Sequence, residues 1–501
     1  MDYSLKTNKI LSDNIEENFK TIESILDTKK NFDIRFRELI ISDKKIILFY
    51  VTSLISSDQI VDINNTIIRC SNKEDDFDLY KIIYNNIPHQ DIAVENNLDR
   101  ILLDILSGKL CFLLEGESDA FLLDTRSYPQ RAVDEPTGES IVRGSHDGFV
   151  ENIITNVALM RRRIRDVRFR NEIMEISKDT PTYVDLMYID GIVDEEALNI
   201  IRNKLNTIKP KRLIMTDRTM ETMLTNTSFY PLARHSCRPD VLASHLYRGK
   251  VVVVVDNSPN ALILPSTFWD NMTSLEDHSQ TFVSSLFFKI IRSFGILLSL
   301  FLMPLWYLIC MKEIPLPEAM QDIIPDDTSI IFLEILIGEL ALELIRVSSL
   351  HTPSALNSSL GLISAVLVGN IAIDTGVLEE ETLLLLCFSS VGNYLTPSYE
   401  MGIANKIFKI IFILSCLLGL WGFIACFAIW LIYLCSLKSI NKHYMYPFIP
   451  FNIKKIWEYL IRRKGGETHE AVQAAHRAAV CQRHRPQHQD SRGHQGRGSA
   501  D

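Results

Sequence analysis

The chain has 501 residues, 47% of them hydrophobic and 23% charged, with a formal net charge of −10 and a mean hydropathy of +0.08. That length allows about three domains, and the composition excludes collagen-like and wholly disordered classes. Residues 1–280 carry 34 Lys and Arg against 44 Asp and Glu, which argues against a nucleic-acid-binding domain. Residues 281–440 carry only 7 against 13, the charge density of a membrane domain, and residues 441–501 carry 11 against 5.

The first residues, MDYSLKTNKILSDNIEENF, have neither the basic nor the apolar region of a signal peptide, so residues 1–280 are expected in the cytoplasm. Residues 1–125 read as one subdomain. Lys44–Ile55 and Lys109–Gly116 look like buried strands closed by polar turns, and the stretches near Asn64 and Asn96 like loops. Arg131–Gly148, with Pro136 and three glycines, reads as an extended connector. A helix should follow, with Phe149, Ile153, Val157 and Met160 on one face and Asp147 as its N-cap.

Strand and helix signals then alternate through a second subdomain, residues 126–280. Thr182–Asp190 is an expected strand, Asp194–Ile208 an amphipathic helix, Lys211–Asp217 a strand, and Arg238–Gly249 a helix closed by Gly249. Lys250–Pro259 is a β-branched strand buried on both faces, and Ala261 onward follows after a turn. The order predicts a small α/β unit with a central mixed sheet.

Five apolar segments occupy residues 281–440: Phe282–Met311, Ser329–Leu350, Ser358–Gly376, Thr382–Thr396 and Ile407–Leu437. A helix needs about 20 apolar residues to span a bilayer, so the first, third and fifth qualify. The lysines and arginines from Lys438 to Lys464, which follow the fifth segment, place residues 441–464 in the cytoplasm. Both ends inside require an even number of spans. The count is four if the second segment lies in the interface or re-enters; otherwise the fifth is a hairpin broken near Gly419–Gly422. The first option is preferred. Residues 465–501 contain five His, five Arg and no Ile, Leu or Lys, and are expected to be disordered.

Nine scattered cysteines without a CxxC pair read as reduced. GxSxG, Walker A, HExxH and strand-borne GxGxxG patterns are absent, so an enzyme is not expected and no cofactor is assigned. His235 and Cys237 could offer two metal ligands, but no companion pair stands at zinc spacing, which argues against a metal. Arg161, Arg162, Arg163 and Arg165 form a basic cluster on the helix after the connector. It suits lipid phosphates, a partner's carboxylates or a neighbouring subunit, and equally a solvated face. Glu339, Glu343 and Arg346, with Glu334, lie in the second apolar segment. A headgroup-level helix with its charges in water is preferred there over a buried network. In the third segment Leu362, Val366 and Asn370 share a helical face, and Asp374 lies one turn beyond. These four are candidate pore-lining residues; close helix packing on Gly361, Ser364, Ala365 and Gly369 is the alternative.

RAVDEPTGESIVRGSHDGFVENIITNVALMRRRIRD, YIDGIVDEEALNIIRNKL, RPDVLASHLYRGKVVVVVDNSPNALILPSTFWD and LTPSYEMGIANKIFKI resemble blocks of the A subunits of GerA-type spore germinant receptors. The resemblance covers roughly Leu122–Ile461. MPLWYL, HTPSALNSSLGLISAVLVGNIAIDTG and YPFIPFN are similar to one branch of that family, encoded with dipicolinic acid transport genes. The resemblance implies a multi-pass protein of the spore inner membrane, with two cytoplasmic α/β subdomains before a helical membrane domain. It implies a homo-oligomer, a pentamer in the family, that releases cations in germination. It also implies membrane lipids, a small membrane protein and other germination proteins as partners, and no nucleic acid. A non-conducting scaffold for receptor clustering or dipicolinate transport is the alternative.

Overall fold

The computed structural model describes residues 9–41, 44–71, 92–128, 145–208, 210–212, 216–274, 277, 281–315, 317, 324–325, 330–351, 366, 369 and 371–453. The first 128 residues build a five-stranded antiparallel sheet in the order β1-β2-β4-β5-β3. Its strands are β1 (Ile34–Ile41), β2 (Lys44–Val51), β3 (Ile92–Glu95), β4 (Leu110–Leu114) and β5 (Ala120–Leu123). The apolar run of β2 is explained by helices on both faces of the sheet. Ile47, Phe49 and Val51 meet α1 (Ile15–Leu26) and α3 (Leu98–Leu106). Ile46 and Leu48 point the other way, toward Ile63 and Ile67 of α2 (Ser57–Ser71). Asn64 lies within α2 rather than in the expected loop, whereas Asn96 does lie outside helix and strand.

A second five-stranded sheet follows, ordered β6-β7-β9-β10-β8. Its strands are β6 (Phe169–Ile176), β7 (Thr182–Ile189), β8 (Arg234–Ser236), β9 (Val251–Val255) and β10 (Ala261–Leu264). Among the described residues every pairing within this sheet is antiparallel, which corrects the expected mixed sheet. The alternating strands and helices mimic a parallel pattern, but the chain crosses back each time to an antiparallel neighbour. Helices again cover both faces. Val184, Leu186, Val251 and Val253 pack with α5 (Glu195–Thr207) and α6 (Thr216–Leu224). Met187, Val252 and Val254 pack with α4 (Ile153–Arg163) and α7 (Pro239–Leu246). The face of Phe149, Ile153, Val157 and Met160 is buried as expected. Its cap is Asn152, whose side chain accepts from the Ile154 and Thr155 N–H groups, not Asp147. Lys211 and Arg212 are in no strand, residues 213–215 lie outside the described set, and Thr216 already opens α6.

After a short helix, α8 (Phe268–Met272), the chain becomes a helical bundle: α9 (Phe282–Cys310), α10 (Ile331–His351), α11 (Glu380–Tyr394), α12 (Tyr399–Ser415) and α13 (Gly419–Ser436). Among the described residues two stretches, Val283–Cys310 and Tyr399–Ser436, are long and apolar enough to cross a membrane. The second is not one rod. Gly419 has φ 72° and ψ −164°, which ends the helical path there. A side chain at Gly422 would overlap the Ser415 carbonyl oxygen. The Phe408 and Tyr433 rings are 5.9 Å apart, as are Phe412 and Trp430 at 6.0 Å, although an unbroken helix would separate the first pair by about 37 Å. The fifth apolar segment is therefore an antiparallel hairpin with limbs of 17 and 18 residues, each about 26 Å long. This is the option the sequence reading ranked second. Most of the third segment and all of residues 454–501 lie outside the described set.

Candidate functional site

Charge inside an apolar bundle is costly unless it is paired, so the polar contacts between the long helices mark the candidate site. Lys409 of α12, 3% exposed in its side chain, donates to both Glu339 oxygens of α10 at 2.7 and 2.8 Å. It also donates to the Ser389 hydroxyl of α11 at 3.1 Å. One turn away, Lys406 contacts Glu343 at 2.5 Å, and Glu343 also takes the Arg346 guanidinium. Arg346 lies over the Tyr399 ring, 5.7 Å from its centroid. Glu334 is buried, and its carboxylate accepts the Glu379 N–H at 3.3 Å. Thus Glu339, Glu343 and Arg346 form a network joining α10 to α12. The expectation of a helix with its charges in water is overturned, because the opposite charges face them across the bundle.

The sequence reading missed Lys406 and Lys409. Their signal was present: two lysines three residues apart at the start of an apolar run, matching two glutamates four residues apart in another.

Of the pore candidates, Val366 is exposed, as is Asp374 at the end of a single helical turn, Ala372–Asp374, with no buried residue. Leu362 and Asn370 lie outside the described residues.

The arginine cluster splits. Arg161 is fully buried and reaches Asp33 of the first sheet unit through two bonds of 2.8 and 3.0 Å. It also donates to the side-chain oxygens of Asn31 and Asn171, both at 3.2 Å. Asn31 and Asn171 form a parallel bridge between the two units. Arg161 is therefore an internal lock, which removes it from the lipid-contact candidates. Arg162 lies over the Tyr128 ring, Arg163 binds Ser145 and Asp147, and Arg165 is exposed.

The second sheet unit meets the bundle through residues 228–235. The Tyr230 ring stacks on Phe408 of α12 at 5.4 Å. Its hydroxyl donates to the Asn405 side-chain oxygen and accepts from the Trp430 indole N–H, both at 3.1 Å. Tyr433 accepts the Phe229 N–H at 3.1 Å. Beside this plug, His235 of β8 stands 3.2 Å from Glu221 of α6 and 3.9 Å from Glu400 of α12. Burial disfavours the His235 charge, but the Glu221 bond and the nearby carboxylates outweigh it and hold the imidazole above its ordinary pKa. Burial likewise works against the Glu221 charge, and the His235 and Arg218 contacts still hold that carboxyl below its ordinary value. Tyr230 thus joins the sheet unit to both limbs of the hairpin.

The model of the Bacillus/Clostridium GerA spore germination proteins matches residues 20–470, and the chain belongs to that family. It is 36% identical over 438 residues to stage V sporulation protein AF of Bacillus subtilis, covering 86% of this chain and 89% of that protein. It is 25% identical over 460 residues to spore germination protein KA of the same organism, covering 88% and 84%. It is also similar to the solved N-terminal domain of the A subunit of the Bacillus megaterium spore germinant receptor GerK3. That match has 24% identity and a TM-score of 0.42, covering 52% of this chain and 99% of the domain.

Proposed function

We propose that the chain is a multi-pass subunit of an oligomeric cation-releasing channel in the spore inner membrane, with both sheet units in the cytoplasm. The observation that carries this reading is the exposure of Val366, Ile371 and Asp374. Val366 and Ile371 are 51% and 50% exposed, and Asp374 beside them is exposed too. Apolar and acidic side chains exposed in this way suit contact with further copies around a shared axis. The bundle supports the same reading, since its charges pair inward while Phe287, Leu297, Leu340, Leu384 and Trp421 face outward. A ring of copies, five in the family resemblance, would place Leu362, Val366, Asn370 and Asp374 near its axis. Lipids and a small membrane protein would cover the outside.

Val366→Ala, by removing bulk from an apolar constriction and so widening it, is expected to raise potassium loss from resting spores at normal protein abundance on an immunoblot. Unchanged leak at normal abundance would remove this segment as the pore and favour a non-conducting scaffold.

A further inference from the structure

We propose that Glu221, His235 and Glu400 form a divalent metal site of the zinc class, which clamps the second sheet unit onto the first turn of α12. The ligands come from three elements distant in sequence: a helix, a strand and the hairpin limb. One oxygen or nitrogen from each lies within 4.8 Å of the others. In a tetrahedral zinc site, bonds of about 2.0–2.1 Å put neighbouring ligand atoms about 3.4 Å apart. The His235 Nε2 to Glu221 Oε2 separation is 3.2 Å, already at that spacing. The 3.9 Å from His235 to Glu400 needs closing by only about 0.5 Å, well within the reach of a half-exposed glutamate.

The donor set selects the metal. One imidazole with two carboxylates suits zinc, manganese or iron(II), whereas magnesium and calcium prefer oxygen alone. Three protein ligands leave a fourth position open. A small cavity of about 80 Å³, lined by Arg218, Glu221, Thr222, Ser228 and Glu400 among others, adjoins the cluster and would admit water or a further ligand there. Cys237, two residues beyond His235, is not in the cluster.

Arg218 now balances the two carboxylates. It contacts Glu221 and lies 3.1 Å from Glu400. Its side chain is 63% exposed, so it can swing into water when a dication takes its place. The guanidinium is therefore a competitor for the site, and an arrangement of plain ion pairs would make the opposite prediction for its removal.

The clamp lies beside the Tyr230 plug, so metal occupancy would stiffen the joint between the sheets and the hairpin. The inference does not depend on whether the bundle conducts.

The test is zinc chloride titration of the full chain in detergent micelles, followed by calorimetry and by thermal unfolding after chelator treatment. Any zinc taken up by the tail histidines is common to all variants, so the readout is the difference between proteins. His235→Gln and Glu400→Gln are each expected to lose one zinc equivalent or weaken it more than tenfold, and to lose the matching rise in melting temperature. Arg218→Ala is expected to tighten zinc binding several-fold, while magnesium does not bind at this site in any protein. Unfolding curves without metal verify that each variant is folded. Retention of the equivalent in both His235→Gln and Glu400→Gln would overturn the site. So would unchanged or weaker zinc binding in Arg218→Ala, which would leave the cluster as an ion-pair latch.

Discussion

Burial decides residue behaviour in the sheet units more than residue type does. Arg161 and Asp33 are both fully buried, and their fork-shaped contact is what makes that tolerable. Asp185 of β7 is also fully buried, yet neither of its carboxylate oxygens has a hydrogen-bond partner among the described residues. Burial, followed by the nearby Asp33 charge, raises its pKa well above the ordinary value, with Arg161 only partly opposing. The folded state therefore holds this proton more tightly than the unfolded chain. The resulting stability is complete below the unfolded value near 4 and is lost as pH rises toward the folded value, by up to ~1.4 kcal/mol per pH unit. Asp185→Asn, neutral at every pH, should flatten the fall in melting temperature between pH 5 and 8 expected of the unmodified protein. An equally steep fall in the variant would show that other groups drive it.

At the scale of elements, glycine spacing fixes how closely the long helices approach. A side chain at Gly392 of α11 would collide with the Gly295 carbonyl oxygen of α9, and one at Gly295 would meet Leu395. Close backbone approach of this kind holds helices together where apolar burial against lipid gives little. Gly392→Val should cost about 1–3 kcal/mol by overpacking and lower the abundance of folded protein on an immunoblot. Gly402→Ala is the matched control, because its nearest neighbours would lie at 3.9 Å. Equal abundance of both variants would refute tight α9–α11 packing. The sequence displayed these elements unevenly. Lys44–Val51 and Val251–Val255 were legible because runs of β-branched and aliphatic residues have few alternatives. β6, FRNEIMEI, was not singled out: it is an edge strand with polar residues on both sides. Strand direction is not encoded in local pattern, so the antiparallel order of the second sheet was misjudged. The charged network was half visible. The acids were noticed, but which lysines neutralise them depends on α10 and α12 lying side by side, and that contact is tertiary.

Over the whole molecule, the two ends of the bundle are chemically distinct, and this decides which segments share a side. At one end α12 begins against Arg218 and His235 of the second sheet unit, and the chain leaving α13 returns to the same unit. Ser439 donates to the Leu232 carbonyl and accepts the Ser266 N–H, Lys442 pairs with Asp194 at 3.0 Å, and Phe268 donates its N–H to Tyr444. At the other end the Gly419 turn lies close to the Glu313 carboxylate, just beyond the end of α9. A membrane around the bundle must therefore leave the sheet units and residues 438–453 together on one face, and the Lys312–Glu313 and Gly419 turns on the opposite one. On the reading proposed above, the basic flank that begins at Lys438 would put the first face in the cytoplasm. Single cysteines at the exposed positions Thr222 and Phe451, in a background lacking other reactive cysteines, should both resist an impermeant thiol reagent applied to intact protoplasts. Both should react once the membrane is opened. Lys312→Cys, exposed at the far turn, should react before opening. Labelling of Phe451→Cys together with Lys312→Cys in intact protoplasts would break the link between the last helix and the second sheet unit. It would also remove the route by which movement of Tyr230 could reach both limbs of the hairpin.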